Sequence, residues 1–428
     1  MQTAYRAIRV ALLGAGSVGS NVARLMLENH QELAQRVGAE FELAGVLVRD
    51  LNSSRPGVPK ELLTTDAESL ILSADIVIEL LGGIHPAKEY VELALNSGAD
   101  VITANKALIA AHGGELSDLA EQLGAQLYFE AAVAGAIPII RPLRESLAGD
   151  KVNRVMGIVN GTTNFILDRM ESTGADFADA LAEATDLGYA EADPTADIEG
   201  FDAASKAAIL ASLAFHSEVP VEKVHREGIT TVTALQMETA REAGYAVKLL
   251  AICERVGEGL VARVHPTLIP LDHPLAAVRG AYNAVFVEAE SAGRLMFYGA
   301  GAGGPQTASA VLGDLVSAAK RHLAGGPGLA DSVHANLEAL PVQRIQTRYQ
   351  ITLAVSDEPG VLAAIASVFA EHGVSVETVS QSSAVNGAAL LTVMTHRASE
   401  QALEQVVSSL RGNKSVQQIS SVIRVEGI

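Results

Sequence analysis

The chain has a single cysteine, Cys253, in 428 residues. One thiol excludes an internal disulfide and any zinc site built on several cysteines, and it fits a reducing cytoplasm. Basic residues are scarce as well: 31 Lys and Arg stand against 50 Asp and Glu, a formal net charge of −19. So acidic a chain cannot hold nucleic acid through a general phosphate-neutralising field, and an anionic ligand must be caught by a few local groups. No run reaches the roughly 18 uninterrupted apolar residues of a membrane span. The first residues are mixed polar, and the apolar stretch 10–13 is too short for the core of a signal peptide. What is abundant is apolar material, 49% of residues, with a mean hydropathy of +0.25. That is enough for large cores and buried subunit contacts. At about 150 residues per domain, the length suggests about three domains.

Over the first third, apolar runs alternate with helical patterns, the signature of βαβ units and a parallel sheet. The pattern predicts strands over 8–13, 41–48, 75–81, 100–103 and 126–130, and helices over 17–37, 87–97 and 114–123. From 151 the chain reads as an α+β region. Strands are predicted at 152–159, 260–266 and 284–289, and Ala-rich helices at 177–185, 201–215 and 239–255. A Gly-rich stretch, 299–304, precedes a helix over 307–323, and Gly325-Gly326-Pro327-Gly328 breaks the pattern. The last 80 or so residues read βαββαβ, a ferredoxin-like order, with a turn at Asn386-Gly387 and a helix opening at Asp357 to Gly360.

Gly14-Ala15-Gly16-Ser17-Val18-Gly19 falls between a predicted strand and a predicted helix, the context a dinucleotide fingerprint requires. The first glycine permits the turn, the second lets the backbone approach a pyrophosphate, and the third lets helix pack on strand. The second strand ends Val48-Arg49-Asp50. Arg49 favours the 2′-phosphate of NADP, whereas Asp50 keeps NAD open through a ribose hydroxyl. Gly82-Gly83 follows the third strand and Thr103-Ala104-Asn105-Lys106 the fourth, at the carboxyl ends where open parallel sheets bind ligands. His85 reads as a loop or helix-cap residue.

The stretch from Leu187 to Lys206 is the richest in chemistry. Asp202 and Lys206, four apart on a predicted helix, share a face. Around them Ala203, Ala204, Ala207, Ala208, Ile209 and Leu210 leave no solvated side. A lysine in such a helix needs a partner or a task. Glu191, Asp193 and Asp197 lie just upstream. Carboxylates beside a lysine suit the ammonium group of an amino acid; a divalent metal is the alternative, without supporting histidines.

Taken in order, these motifs, with Asn160-Gly161-Thr162-Thr163-Asn164 between them, resemble homoserine dehydrogenase of the monofunctional type with a C-terminal ACT domain. The resemblance covers nearly the whole chain. It implies a Rossmann-type dinucleotide-binding domain over 1–135 completed by about 300–325, and an α+β substrate and dimerisation domain over 136–300. A linker over 326–347 and a ferredoxin-like ACT domain over 348–428 would follow. It implies NAD(P)-dependent interconversion of L-aspartate 4-semialdehyde and L-homoserine, with Lys106 and Lys206 as catalytic lysines. Glu191, Asp197 and Asp202 would hold the substrate, with Gly161, Thr162 and Tyr189 nearby. Gly14 to Gly19, Arg49, Gly82, Thr103, Lys106 and Gly303 would meet the cofactor. A monovalent cation such as sodium would lie at Glu130, Val133, Gly135 and Ile137, largely on backbone carbonyls. The chain departs from the family at Pro305-Gln306-Thr307, where Pro-Thr is common. An amino-acid effector, L-threonine, and a homodimer or homotetramer are further expectations. Two rival readings are a dehydrogenase of another amino-acid-like carbonyl and a regulator that has lost catalysis. The regulator would lack a lysine or a fingerprint glycine, and neither is missing.

Overall fold

Six residues, Ile8–Leu13, form the central strand β1, and five of the six are buried, as a strand covered on both faces must be. They belong to a computed structural model that describes residues 6–325, 333–383 and 388–427. The turn expected at Asn386-Gly387 and the break at Gly326-Pro327-Gly328 lie outside the described residues.

Helices α1 (Ser17–Glu28) and α2 (His30–Val37) follow, then β2 (Phe41–Leu47), β3 (Leu63–Thr64), α3 (Ala67–Leu72), β4 (Ile76–Glu79), α4 (Ala87–Asn96), β5 (Asp100–Thr103), α5 (Lys106–Leu123) and β6 (Leu127–Tyr128). The six strands pair in parallel in the order β3-β2-β1-β4-β5-β6, the dinucleotide-binding order with its crossover point between β1 and β4. Next come β7 (Val152–Ile158), α6 (Gly161–Thr173), α7 (Phe177–Asp186), α8 (Thr195–Ile198), α9 (Phe201–Phe215), β8 (His225–Arg226), α10 (Ala234–Glu242), β9 (Tyr245–Val256), β10 (Gly259–Pro270), β11 (Tyr282–Ala289), β12 (Gly293–Ala300) and α11 (Gly304–Ala324). The C-terminal part holds β13 (Glu338–Ala339), β14 (Gln346–Ser356), α12 (Val361–Glu371), β15 (Val376–Ser383), β16 (Ala388–Thr395), β17 (Ala398–Ser399), α13 (Glu400–Arg411) and β18 (Val416–Val425).

The chain divides into two compact units. The first comprises residues 1–161, 205–222 and 282–337. In it Ala308, Val311, Leu315 and Ala318 of α11 enter the same core as Val10 and Leu12 of β1 and Val22 of α1. An antiparallel triplet, β12-β11-β7, belongs to the same unit. The second unit comprises 162–204, 223–281 and 338–428. Its hairpin β9-β10 is antiparallel, and β10 also takes β8, β13 and β18 in parallel. Beyond β18 the strand order runs β18-β14-β16-β15, the ferredoxin-like order read from the sequence, with α12 and α13 packed into one core under it.

Several predicted elements are corrected. The helix expected over 17–37 is two helices, interrupted at Asn29 and closed by Gly38 at φ +88°. Helix α5 begins at Lys106 rather than 114, because Asn105 caps it by accepting from the Leu108 amide. The helix expected over 239–255 is the larger error. The helix stops at Glu242, Gly244 turns at φ +82°, and Tyr245–Val256 is a strand paired residue for residue with β10. A run that is apolar but for Lys248, such as 246–253, fits a buried strand as well as a buried helix. The helix Gly161–Thr173 and the strand Gly293–Ala300 were not anticipated.

Candidate active site

The fingerprint loop leaves the carboxyl end of β1. Gly14 sits at φ +106°, and a Cβ there would come 2.8 Å from the Leu80 carbonyl oxygen. A Cβ on Gly19 would overlap the Gly14 carbonyl, so only glycine lets α1 sit this close to β1. Gly16 and Ser17 are exposed, with nothing within 4 Å of a Cβ at Gly16. Each glycine therefore does what a pyrophosphate site at a helix N-terminus needs. The late Gly-rich segment meets this loop: a Cβ on Gly304, first residue of α11, would fall 2.6 Å from Ser17 Oγ, and Gly303 caps that helix.

A cleft of about 470 Å³ opens from Ala15, Gly16 and Ser17 to Arg24 and Arg55. Arg55 was not singled out in the sequence, because nothing local marks an arginine in a Ser-Ser-Arg-Pro-Gly loop as facing the fingerprint. Arg49 is exposed at the end of β2, and neighbouring Asp50 is turned inward on its own loop, accepting from the Asn52 amide and Ser53 Oγ.

At the ends of β4 and β5 a buried polar cluster positions Lys106. The Glu79 carboxylate, fully buried, accepts from Thr103 Oγ1 at 2.6 Å and from the Leu81 amide at 2.7 Å. Burial pushes its pKa upward against these hydrogen bonds. Thr103 Oγ1 in turn accepts from the Asn105 amide, and Asn105 Nδ2 donates to the Gly83 carbonyl at 2.6 Å. Lys106 is thus the exposed first residue of α5, just past the end of β5 and capped from Asn105. Cations stabilise helix C-termini, not N-termini, so this lysine is misplaced for stability and well placed to meet an anionic or developing negative group. Glu79 was legible only as part of an apolar strand. His85, in the loop before α4, pairs with the Glu89 side chain; the helix itself is entered at Pro86 with no side-chain cap.

Lys206 is half-buried on α9, and its Nζ donates to the Val159 carbonyl at 2.7 Å, just past the end of β7. Asp202, one turn earlier, is 6% exposed. In the second unit, Thr162 Oγ1 donates to the Tyr189 carbonyl at 2.8 Å, and the Tyr189 ring lies 4.8 Å from that of Phe165. The turn carrying Tyr189 is thereby tied to the first turn of α6, next to Gly161. Glu191 and Asp193 are exposed, and Asp197 on α8 is half-buried. Asp193 accepts from the Thr195 amide, an Asx turn that shapes the loop.

Glu130 is 2% exposed, and its carboxylate accepts from the amides of Ile139, Ile140 and Arg141 and from Arg141 Nε. Its own amide donates to Asp314, which also takes Arg141. With that carboxylate so engaged, a cation in this segment would have to take backbone carbonyls. Ala134 and Gly135, both at φ +58°, turn the chain tightly there. Among the described residues no group of three or more His, Cys, Asp or Glu is arranged to hold a metal ion.

The fold is that of a dinucleotide-binding protein carrying a C-terminal ferredoxin-like module. Comparison with known proteins narrows the class. The family model for homoserine dehydrogenase matches residues 138–316, that for the homoserine dehydrogenase NAD binding domain matches 14–130, and that for the ACT domain matches 349–413. The chain is 55% identical over 427 residues to the homoserine dehydrogenase of Corynebacterium glutamicum, covering 98% of this chain and 96% of that one. It is 53% identical over 432 residues to that of Mycobacterium tuberculosis, covering 98% of each. A crystal structure of a homoserine dehydrogenase from Thiobacillus denitrificans superposes with a TM-score of 0.93 at 38% identity, covering 99% of both chains. A hyperthermophilic archaeal homoserine dehydrogenase in complex with NADPH gives 0.63 at 30% identity, over 75% of this chain and 99% of that one. The chain belongs to the homoserine dehydrogenase family and is an oxidoreductase acting on a CH–OH group. Among the described residues no helix is long and apolar enough to cross a membrane.

Proposed function

We propose that the chain interconverts L-aspartate 4-semialdehyde and L-homoserine with NADP(H), using Lys106 and Lys206 on the reacting oxygen. The observation that carries this reading is Lys206: an ammonium half-buried in a mostly apolar helix, anchored on a main-chain carbonyl at 2.7 Å. The nicotinamide, when bound, supplies or accepts the hydride. As the aldehyde carbon gains hydride, its oxygen becomes an alkoxide. A lysine ammonium within hydrogen-bond reach stabilises that charge and supplies the proton. Asp202 orients Lys206 or the substrate hydroxyl. Glu191 and Asp197 hold the substrate ammonium, with Gly161, Thr162 and Tyr189 shaping the pocket. Gly14, Ala15, Gly16, Ser17, Val18 and Gly19 cradle the pyrophosphate, and Gly82, Thr103 and Gly303 border the cofactor.

NADP is favoured over NAD because Arg49 lies just past the end of β2 and Arg24 and Arg55 line the cleft at the fingerprint. The NADPH bound by the archaeal relative points the same way. A monovalent cation such as sodium would lie on the carbonyls of Glu130, Val133, Gly135 and Ile137 and brace that loop. The domain reading assigns 1–135 with 300–325 to the cofactor, 136–300 to substrate and dimerisation, 326–347 to a linker and 348–428 to an ACT module that senses L-threonine. A cytoplasmic homodimer or homotetramer fits the single buried thiol and the apolar composition. The test is substrate-dependent NADPH oxidation by the purified chain across a panel of small aldehydes, run beside Lys206→Ala. Turnover confined to another carbonyl, or equal turnover by the variant, sinks this reading.

A further inference from the structure

The turn that launches α9 is gripped by the segment 226–230. The Arg226 guanidinium donates to the Glu199 carbonyl and lies 3.5 Å over the centroid of the Phe201 ring. The Ile229 amide donates to the Ile198 carbonyl at 2.8 Å, and Thr230 Oγ1 donates to the Glu199 carboxylate at 3.1 Å. Between them, a Cβ on Gly228 would come 2.4 Å from the Ile198 oxygen, so the two backbones touch and nothing larger than glycine fits. Residues 198–201 thus carry three hydrogen bonds, a stacked cation and a flush backbone contact immediately before Asp202 and, one turn on, Lys206.

The same segment is fixed from its other side. Arg226 sits on β8 opposite Val264 of β10, and the next amide, Glu227, donates to the Val264 carbonyl at 2.7 Å. The Glu227 carboxylate accepts from Arg424 of β18 at 2.8 Å, and Arg424 also pairs with buried Glu400 at the start of α13. Arg226 on the short strand β8 and Glu227 just past it therefore face opposite duties. Arg226 holds the start of the helix bearing the lysine, and Glu227 is held by the C-terminal module.

We infer that Arg226 is a positioning residue for the reaction: it sets where α9 begins, and hence where Asp202 and Lys206 stand, while the Glu227–Arg424 pair ties that setting to the C-terminal module. This rests on the assignment of Lys206 and Asp202 to the reacting end of the site. A guanidinium is suited to the task because its planar fork donates to a carbonyl while its face stacks on an aromatic ring, which an ammonium does poorly.

The test is a mutant cycle on the full-length enzyme, read as kcat and KM for homoserine, NADPH affinity by fluorescence, and cooperative unfolding. Arg226→Ala is expected to lower kcat about tenfold by displacing the helix start, with NADPH affinity unchanged. In the Lys206→Ala background the same change should cost less than about threefold, because both act through one group. Arg226→Lys should fall between parent and Arg226→Ala, and it carries the test if the alanine variant does not fold. Glu227→Gln should give a reduced version of the same kcat loss; parental kcat there removes the C-terminal module from the inference. Parental kcat in both Arg226 variants, or losses that multiply in the double variant, overturns the positioning role. Lys206→Ala within threefold of the parent would instead overturn the site assignment itself, and the inference with it.

Discussion

The Nζ of Lys206 donates to the main-chain carbonyl of Val159 at 2.7 Å, fixing an ammonium group just beyond the end of β7. Val159 immediately precedes Asn160-Gly161-Thr162, so the lysine is set against the stretch that opens α6. Removing it should leave the cofactor site in place. Lys206→Ala is expected to lower kcat about a hundredfold or more, the size of losing an acid or an oxyanion partner, with unchanged NADPH affinity. Asp202→Ala should impair turnover in the same direction. Steady-state kinetics beside a binding titration and a melting curve decide it.

Lys106 depends on a different support. Lys106→Ala is expected to cost kcat on the same scale as Lys206→Ala. The buried Glu79 beneath it accepts from Thr103 and the Leu81 amide, so Glu79→Gln would set an amide donor against donors. That variant should lose about 1–3 kcal/mol of stability. A chemical-denaturation midpoint equal to the parent's would show that the cluster rearranges at no cost.

Cofactor choice should separate by arginine. Arg49→Ala and Arg55→Ala are each expected to raise KM for NADPH by about tenfold, roughly one charge-assisted phosphate contact, while KM for NADH moves little. Equal changes for both cofactors would take that arginine off the 2′-phosphate. A strong NAD preference in the parent would reverse the assignment for both.

The C-terminal module is built into the second unit rather than tethered to it. Arg263 of β10 is fully buried and pairs with Glu254 and with Glu426, both at 2.7 Å, and β18 pairs with β10 at Thr267 and Leu268. Glu426→Ala should therefore cost about 3 kcal/mol, because it strips one partner from a buried charge. Threonine sensing is accordingly tested on the intact chain. Added L-threonine should lower activity and raise the melting temperature, and no response in either measurement removes threonine as the effector.

Asp314 gives a pH signature. Burial, together with the charge of Glu130, pushes its carboxyl up to about 7 against the pull of Arg141. An aspartate in the unfolded chain titrates near about 3.9. Between these values the folded chain keeps a proton that the unfolded chain has released. The stability this group contributes is whole below about pH 4 and is lost as pH rises through about 7. The melting temperature of the parent minus that of Asp314→Asn should fall across that window and level off above it. A difference that does not change with pH would mean the carboxyl is ionised throughout.

Much of the molecule is legible in the order of residues because its signals are local. The fingerprint needs glycine at 14 for a positive φ and at 19 for a close helix, and both requirements hold within a few residues of the chain. The alternation of apolar runs and helices announces a parallel sheet, and the C-terminal βαββαβ order is readable from strand and helix lengths alone. That Asp202 and Lys206 stand one turn apart on one helix is a matter of helical spacing. Where two conformations satisfy the same local pattern, as over 245–256, the reading fails. That segment is a strand because β10 offers it twelve residues of matched antiparallel register, a partner no local window contains.

What the tertiary structure alone decided is which groups meet across long separations. Nothing in the stretch around Arg226 says that it stacks on Phe201, that Glu227 answers to Arg424, or that Arg55 turns toward the fingerprint. Nor does the sequence around Glu130 say that its carboxylate accepts from three amides and an arginine. The physical reason is common to all four. Spacing along the chain determines backbone conformation and which residues share a face, because those interactions span one turn of helix or one strand pair. Which charge a side chain finds, and whether it keeps or loses water on the way, depends on packing between segments tens to hundreds of residues apart, and only the folded chain specifies that.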